Sequence, residues 1–390
     1  MGHRVLVVVG TRPEAIKMAA VVRALGRYAD RVETRLALTG QHTTLVDQVL
    51  DAFQITPALA YDLDLEPYDL DVMKVGQSLY DVVQGALTGL RGILHDFRPD
   101  VVLVEGDTAT VFAASLAAFF ERVKVGHVEA GLRSHDKWAP FPEEILRRLT
   151  DVVADYHFAP TPRAAAALLA EGIPGASVHV TGNTVVDALL AAAELDRPVT
   201  DAALRDTIDD EDARLVLLTV HRRESFGEPL RDVFHAVRDV ADRLEDVRIV
   251  YPVHPNPHVT GPARELLSGH PRIVLTEPLD YFDMVAAMRH ASLILTDSGG
   301  IQEEAPTFGT PVLVLRNVTE RPEGIEAGAA ELVGTDRQRI VERSVVGLAR
   351  DREHGSRPNP YGDGRAGERI ADIVVADLGG GSRQTEDWRP

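Results

Sequence analysis

Short runs of β-branched residues alternate with longer stretches of helical periodicity along almost the whole chain, and that alternation leaves few folds open. Arg4–Val9, Thr34–Thr39, Val101–Glu105, Lys124–Val128 and His157–Ala159 read as strands of one sheet. Leu215–Val220, Arg248–Val253, Arg272–Thr276, Leu293–Thr296 and Val312–Leu315 read as strands of a second. Most of these runs are apolar throughout rather than alternating, as expected where helices cover both faces of a parallel sheet. The pattern predicts an α/β protein of two Rossmann-like, doubly wound domains. A length of 390 residues suits two such domains, each able to bury its own core.

The acidic, weakly patterned stretch 201–214 separates the two sets of strands, and the hinge is expected near Asn183–Asp196. This gives a first domain over 1–186 and a second over 187–363. The last helical pattern, 364–378, is expected to cross back to the first domain. Gly379–Pro390, headed by Gly-Gly-Gly-Ser, reads as a flexible tail.

Composition removes several classes of function. A net charge of −19 argues against a general nucleic-acid or anionic-membrane binder, which would carry a basic surface. With no cysteine, disulfides, thiolate nucleophiles and cysteine metal sites are excluded. The apolar run Val5–Val9 is too short for a signal-peptide core, and no 18-residue apolar stretch occurs, so a cytoplasmic location is expected.

Four segments carry chemistry. Gly10-Thr11-Arg12-Pro13-Glu14-Ala15-Ile16-Lys17 follows the first strand, where a glycine turn into a helix amino terminus offers N–H groups and a positive dipole end to an anion. Arg12 adds a guanidinium fork, and Lys17 is one of only four lysines among the 41 basic residues. Its spacing is neither a Walker loop nor a dinucleotide fingerprint, and an ordinary strand–helix turn with two solvated cations fits it equally. Thr296-Asp297-Ser298-Gly299-Gly300-Ile301-Gln302-Glu303-Glu304 is a second such entry, suited to a diphosphate at Ser298–Gly300, with Glu304 placed to accept ribose hydroxyls. Arg321, after the next strand, can close over the same phosphates.

Asp107 and Glu129 end strands of the first sheet and Glu143 lies in Pro140-Phe141-Pro142-Glu143-Glu144, and side chains at the carboxyl ends of strands converge on the ligand crevice of such folds. Any one of them alone more often caps a helix or faces water. Val220-His221-Arg222-Arg223-Glu224-Ser225-Phe226-Gly227 places an imidazole and two guanidiniums at the end of the second domain's first strand. His254 and His258 have the i, i+4 spacing of a metal pair, but two prolines oppose the helix, and no metal site is expected.

Taken together, GTRPEAIKM (10–18), GDT (106–108), GHVEAGLR (126–133), PFPEE (140–144), HRRESFG (221–227), TDSGGIQEEAP (296–306), TERPE (319–323) and NPYGDG (359–364) resemble the non-hydrolysing UDP-N-acetylglucosamine 2-epimerases. The resemblance spans all but the tail. It implies a GT-B-like fold whose two sheets face a central cleft, a homodimer, a UDP-sugar substrate, and no metal or nicotinamide cofactor. Carried over motif by motif, Asp107, Glu129, Glu143 and His221 become the catalytic group. Arg12, Lys17, Arg147, Ser298, Gly299, Gly300, Glu304 and Arg321 become substrate contacts. Gln41, Arg222 and His254 match a regulatory site for a second substrate molecule, whose other two positions here hold Thr44 and Gly76. Ile145-Leu146 before Arg147, and Met284 where an aromatic often covers the uracil, also depart from the family pattern. A GT-B glycosyltransferase using a UDP-sugar, and a catalytically inactive nucleotide-sugar sensor, are the competing readings.

Overall fold

A computed structural model of the chain describes residues 2–39, 68–69, 78–195, 197–349 and 359–390. The chain divides into two compact units, residues 1–191 with 361–390 and residues 192–360.

In the first unit β1 (His3–Val9), β2 (Val32–Leu38), β3 (Tyr68–Asp69), β4 (Val101–Glu105), β5 (Lys124–Val128), β6 (Tyr156–Ala159) and β7 (Val178–Val180) form one parallel sheet. Its order is β3-β2-β1-β4-β5-β6-β7. Helices lie against it, and Val5, Leu6, Val7, Leu103 and Phe158 are completely buried, which is why these strands read as unbroken apolar runs. In the second unit β8 (Arg214–Thr219), β9 (Val247–Pro252), β10 (Ile273–Thr276), β11 (Leu293–Thr296), β12 (Val312–Val314) and β13 (Ala330–Leu332) form a parallel sheet in the order β10-β9-β8-β11-β12-β13.

Both orders contain a point where the winding reverses, between β1 and β4 and between β8 and β11. Loops leaving adjacent strands there part to opposite faces and open a crevice at the carboxyl ends. The segments at the four crevice-forming strand ends begin at Gly10, Gly106, Val220 and Asp297, which are the motifs singled out from the sequence.

The last helix, Ala366–Leu378, packs on the helix Arg12–Gly26 of the first unit. A Cβ on Gly367 would lie 2.7 Å from the Ala20 carbonyl, so only glycine permits this approach. Asp187 holds the start of that helix by accepting from the Ala366 and Gly367 N–H groups at 3.1 and 2.8 Å.

The segment 379–390, expected to be loose, is docked. Asp372 Oδ2 accepts from the Gln384 and Thr385 N–H groups at 2.8 and 2.7 Å. The Trp388 N–H donates to the Val180 carbonyl at 2.8 Å along the open edge of β7, and its indole is 5% exposed. Burying a tryptophan outweighs the local flexibility of the glycines, and the tail shields an edge that would otherwise pair with other chains. Among the described residues no helix is long and apolar enough to cross a membrane.

Candidate active site

In the first unit the turn after β1 enters the helix Arg12–Gly26 through a capping box. The Thr11 hydroxyl caps the helix, accepting from Glu14 N–H, while Glu14 Oε2 accepts from the Gly10 and Thr11 N–H groups at 2.6 and 3.3 Å. Two of the N–H groups at the turn expected to cradle a phosphate are therefore already taken by a carboxyl of the chain itself. Burial raises the pKa of Glu14 despite these bonds. Arg12, half-buried at the head of the helix, makes no ion pair with the described residues.

Lys17, expected beside the diphosphate, is engaged by two carboxylates of the first unit. Its ammonium donates to Glu105 Oε1 at 2.9 Å and to Glu129 Oε1 at 2.5 Å. Two buried carboxylates in the same low-dielectric pocket claim the cation before any solvent-facing anion can. Glu129 Oε2 accepts from Arg147 Nη2 at 3.1 Å, and the same nitrogen donates to Asp107 Oδ2 at 2.5 Å. Arg147 also donates to the Glu129 carbonyl. Expected as a substrate contact, Arg147 is instead 5% exposed and bridges two of the carboxylates. Burial works against its charge, and Asp107 and Glu129 more than offset this, so it stays protonated above the usual arginine range. Glu129 has φ +63°, a left-handed backbone uncommon for a branched-chain or long side chain and typical of functional sites.

Glu143 opens the helix Glu143–Val153, one turn before Arg147 and on the same face. It is half-buried, and no hydrogen bond joins it to Asp107 or Glu129. Its neighbour Glu144 is buried and accepts from the Ser134 and His135 N–H groups at 2.7 and 3.2 Å, fixing the loop ahead of the helix.

A buried network supports this group and was not legible from any motif. His127 Nδ1 lies 2.6 Å from Asp151 Oδ1, and its Nε2 lies 2.7 Å from the Gly106 carbonyl. Asp151 Oδ2 also accepts from Arg133 Nη2 at 2.7 Å. A carbonyl oxygen only accepts, so Nε2 carries a proton and His127 steadies the peptide just before Asp107. Burial pushes Asp151 upward, but His127 and Arg133 outweigh it and bring its pKa down to about 2.

In the second unit the organising group is Asp297, completely buried at the end of β11. Its carboxylate accepts from the His221 N–H at 2.9 Å and the Arg222 N–H at 2.8 Å, tying the β8 and β11 loops together. His221 Nδ1 is 3.5 Å from Asp297 Oδ1, and its ring stacks on His254 with centroids 5.3 Å apart. Burial lowers the pKa of His221, with Asp297 opposing and Arg222 and His254 assisting.

Ser298 leads into the short helix Gly299–Glu304. A Cβ on Gly299 would sit 3.1 Å from Glu320 Oε1 and 3.5 Å from the guanidiniums of Arg222 and Arg321, so the backbone here is hemmed in by charged groups. A Cβ on Gly300 would lie 3.3 Å from Glu304 Oε1, which puts the Glu304 carboxylate over the same helix start. Arg321 Nε donates to Glu303 at 2.7 Å, and its Nη1 is 3.2 Å from Glu320. The expected phosphate contacts Ser298, Gly299, Gly300 and Arg321, and the expected ribose contact Glu304, thus lie around one strand end. Arg222 follows the neighbouring strand β8 and His254 the next one, β9, whereas Gln41 lies outside the described residues.

Comparison with known proteins identifies the family. Residues 23–375 match the family model of UDP-N-acetylglucosamine 2-epimerase. The chain is 47% identical over 378 residues to the UDP-N-acetylglucosamine 2-epimerase of Escherichia coli K12, covering 95% of this chain and 98% of that one. The co-structure of MnaA from S. aureus with UDP matches with a TM-score of 0.84 at 43% identity, covering 99% of this chain and 100% of that one. The UDP-GlcNAc 2-epimerase of Neisseria meningitidis bound to UDP-GlcNAc matches with a TM-score of 0.81 at 40% identity, covering 95% and 99%. The chain belongs to the UDP-N-acetylglucosamine 2-epimerase family.

Proposed function

We propose that this chain interconverts UDP-N-acetylglucosamine and UDP-N-acetylmannosamine by elimination and re-addition of UDP. Carbon 1 of the substrate is an acetal, so no carbonyl can delocalise a carbanion at carbon 2. Elimination avoids the difficulty. A base takes the carbon-2 proton as the bond from carbon 1 to the UDP oxygen breaks, and the electron pair leaves with UDP. The products are a 2-acetamidoglucal and UDP. A proton then reaches carbon 2 from the opposite face, and the UDP oxygen rejoins carbon 1.

The observation that carries this reading is the joining of Asp107 and Glu129 by Arg147, with Lys17 on the far side of Glu129. Two faces of one carbon require two proton carriers, and Asp107, Glu129 and Glu143 are the proposed set. His221, Arg12, Arg321, Glu304 and the Ser298–Gly300 turn are proposed to hold UDP, with cations and N–H donors that gain strength as charge develops on the diphosphate. Lys17 and Arg147 act here within the carboxylate group, adjusting its proton affinities. The same reading takes the chain as a cytoplasmic homodimer.

The test is incubation of the purified chain with UDP-N-acetylglucosamine, with the products identified by NMR. Accumulation of UDP-N-acetylmannosamine supports the proposal. Release of a free sugar, or transfer of the sugar to an added acceptor, replaces it with hydrolysis or glycosyl transfer.

A further inference from the structure

Five charged side chains in the first unit form one chain of alternating sign: Glu105, Lys17, Glu129, Arg147 and Asp107. Its inner end is Glu105, the last residue of β4. That carboxyl is 2% exposed, against 28% for the side chain of Asp107 at the other end. A group so enclosed does not touch substrate, yet it shares the Lys17 ammonium with Glu129, at 2.9 Å against 2.5 Å. An ammonium divided between two carboxylates steadies each of them less than it would steady one alone.

We infer that Glu105 is a positioning residue that switches the basicity of Glu129. Ionised, Glu105 competes for Lys17 and leaves Glu129 the stronger base; protonated, it leaves Lys17 to Glu129. The charged and titratable groups around it are Lys17 and Glu14 from the helix Arg12–Gly26, Glu129 after β5, and, through Glu129, Arg147 and Asp107. Burial pushes Glu105 itself up to about 8, with Lys17 opposing and Glu129 and Glu14 assisting. Its proton is therefore lost in mildly alkaline solution, and because Lys17 joins the two carboxyls their titrations are linked. The consequence for catalysis rests on Glu129 being a proton carrier at carbon 2, as proposed above; the competition for Lys17 does not.

Two measurements on the full chain separate these. The first is a titration, without substrate, of protein carrying carboxyl-13C glutamate, with the Glu129 resonance identified through Glu129→Gln. The wild-type Glu129 signal should show a second inflection near pH 8, absent from Glu105→Gln, whose neutral amide fixes the protonated state. The second is kcat/KM for epimerisation across the same range. It should change by roughly two- to tenfold near pH 8 in the wild type and run flat there in the variant. Glu105→Leu gives the same contrast should the amide impair folding. An inflection that persists in both variants, or that is missing from the wild type, overturns the inference. Loss of the inflection in an enzyme that produces no epimer would leave the competition standing and overturn the assigned function.

Discussion

Arg147 Nη2 lies 2.5 Å from Asp107 Oδ2 and 3.1 Å from Glu129 Oε2, so one buried guanidinium sets the spacing of two carboxylates that come from different strand ends. Breaking a buried ion pair by removing one partner typically costs about 3–5 kcal/mol, because the other charge is left stranded. The pair therefore ties the geometry of the proposed catalytic carboxylates to the stability of the first unit.

Asp107→Asn, Glu129→Gln and Glu143→Gln should each lower turnover by at least about 100-fold, the usual scale for general acid–base groups. UDP affinity should change much less, since the phosphate contacts proposed above lie mainly in the second unit. A coupled rate assay alongside calorimetry with UDP checks both statements. Near-normal rates in all three variants would remove the carboxylates from the chemistry.

Arg12→Ala should weaken UDP binding by roughly 1.5–3 kcal/mol, the scale of a charge-assisted contact. Arg321→Ala should weaken it less, because Glu303 and Glu320 already engage that guanidinium and must share it with the diphosphate. Calorimetry orders the two effects. Unchanged affinity in both variants moves the diphosphate elsewhere.

Acid should act on this protein through Asp151. Its folded pKa of about 2 lies below the ordinary 3.8, so the ionised form is the one that folding favours. The associated stability is complete above about pH 4 and is lost as pH falls through about 2, amounting to about 2 kcal/mol. Denaturant titrations should show Asp151→Asn less stable than wild type at neutral pH, with the gap narrowing as pH falls below 4. A gap that stays constant on acidification would mean that the His127 and Arg133 contacts give no charge stabilisation.

The strands were readable where burial on both faces made them continuous apolar runs, as in Val101–Glu105 and Leu293–Thr296. Tyr68–Asp69, Val178–Val180 and Ala330–Leu332 are two or three residues long and carry no period of their own; neighbouring strands create them. The site divides similarly. Motif residues such as Arg12, Asp107, His221 and Ser298 follow strands at the two winding reversals and could be found locally. Glu105, Asp151 and Asp297 could not, because each matters through partners 24 to 88 residues away, such as Lys17, His127 and His221. Glu14 was visible in its motif, but its capture of the Gly10 N–H depends on a buried rotamer that no sequence pattern encodes.

Substrate activation should be weak or absent. Where the family pattern has a second glutamine and a distant arginine, this chain has Thr44 and Gly76, which, like Gln41, lie outside the described residues. Losing a guanidinium from a diphosphate removes roughly 1.5–3 kcal/mol, comparable to the about 1–3 kcal/mol of a typical allosteric coupling. Initial rates against UDP-N-acetylglucosamine should be hyperbolic, and UDP-N-acetylmannosamine should react without added activator. A Hill coefficient near two would show that activation survives the two replacements.

The most direct test is epimerisation in deuterated water, with the sugar carbons followed by NMR. Elimination with proton return from solvent-exchanged carboxyls predicts deuterium at carbon 2 of the product, and of recovered substrate as the reaction reverses. Epimerisation with the carbon-2 hydrogen wholly retained from the substrate would contradict the account.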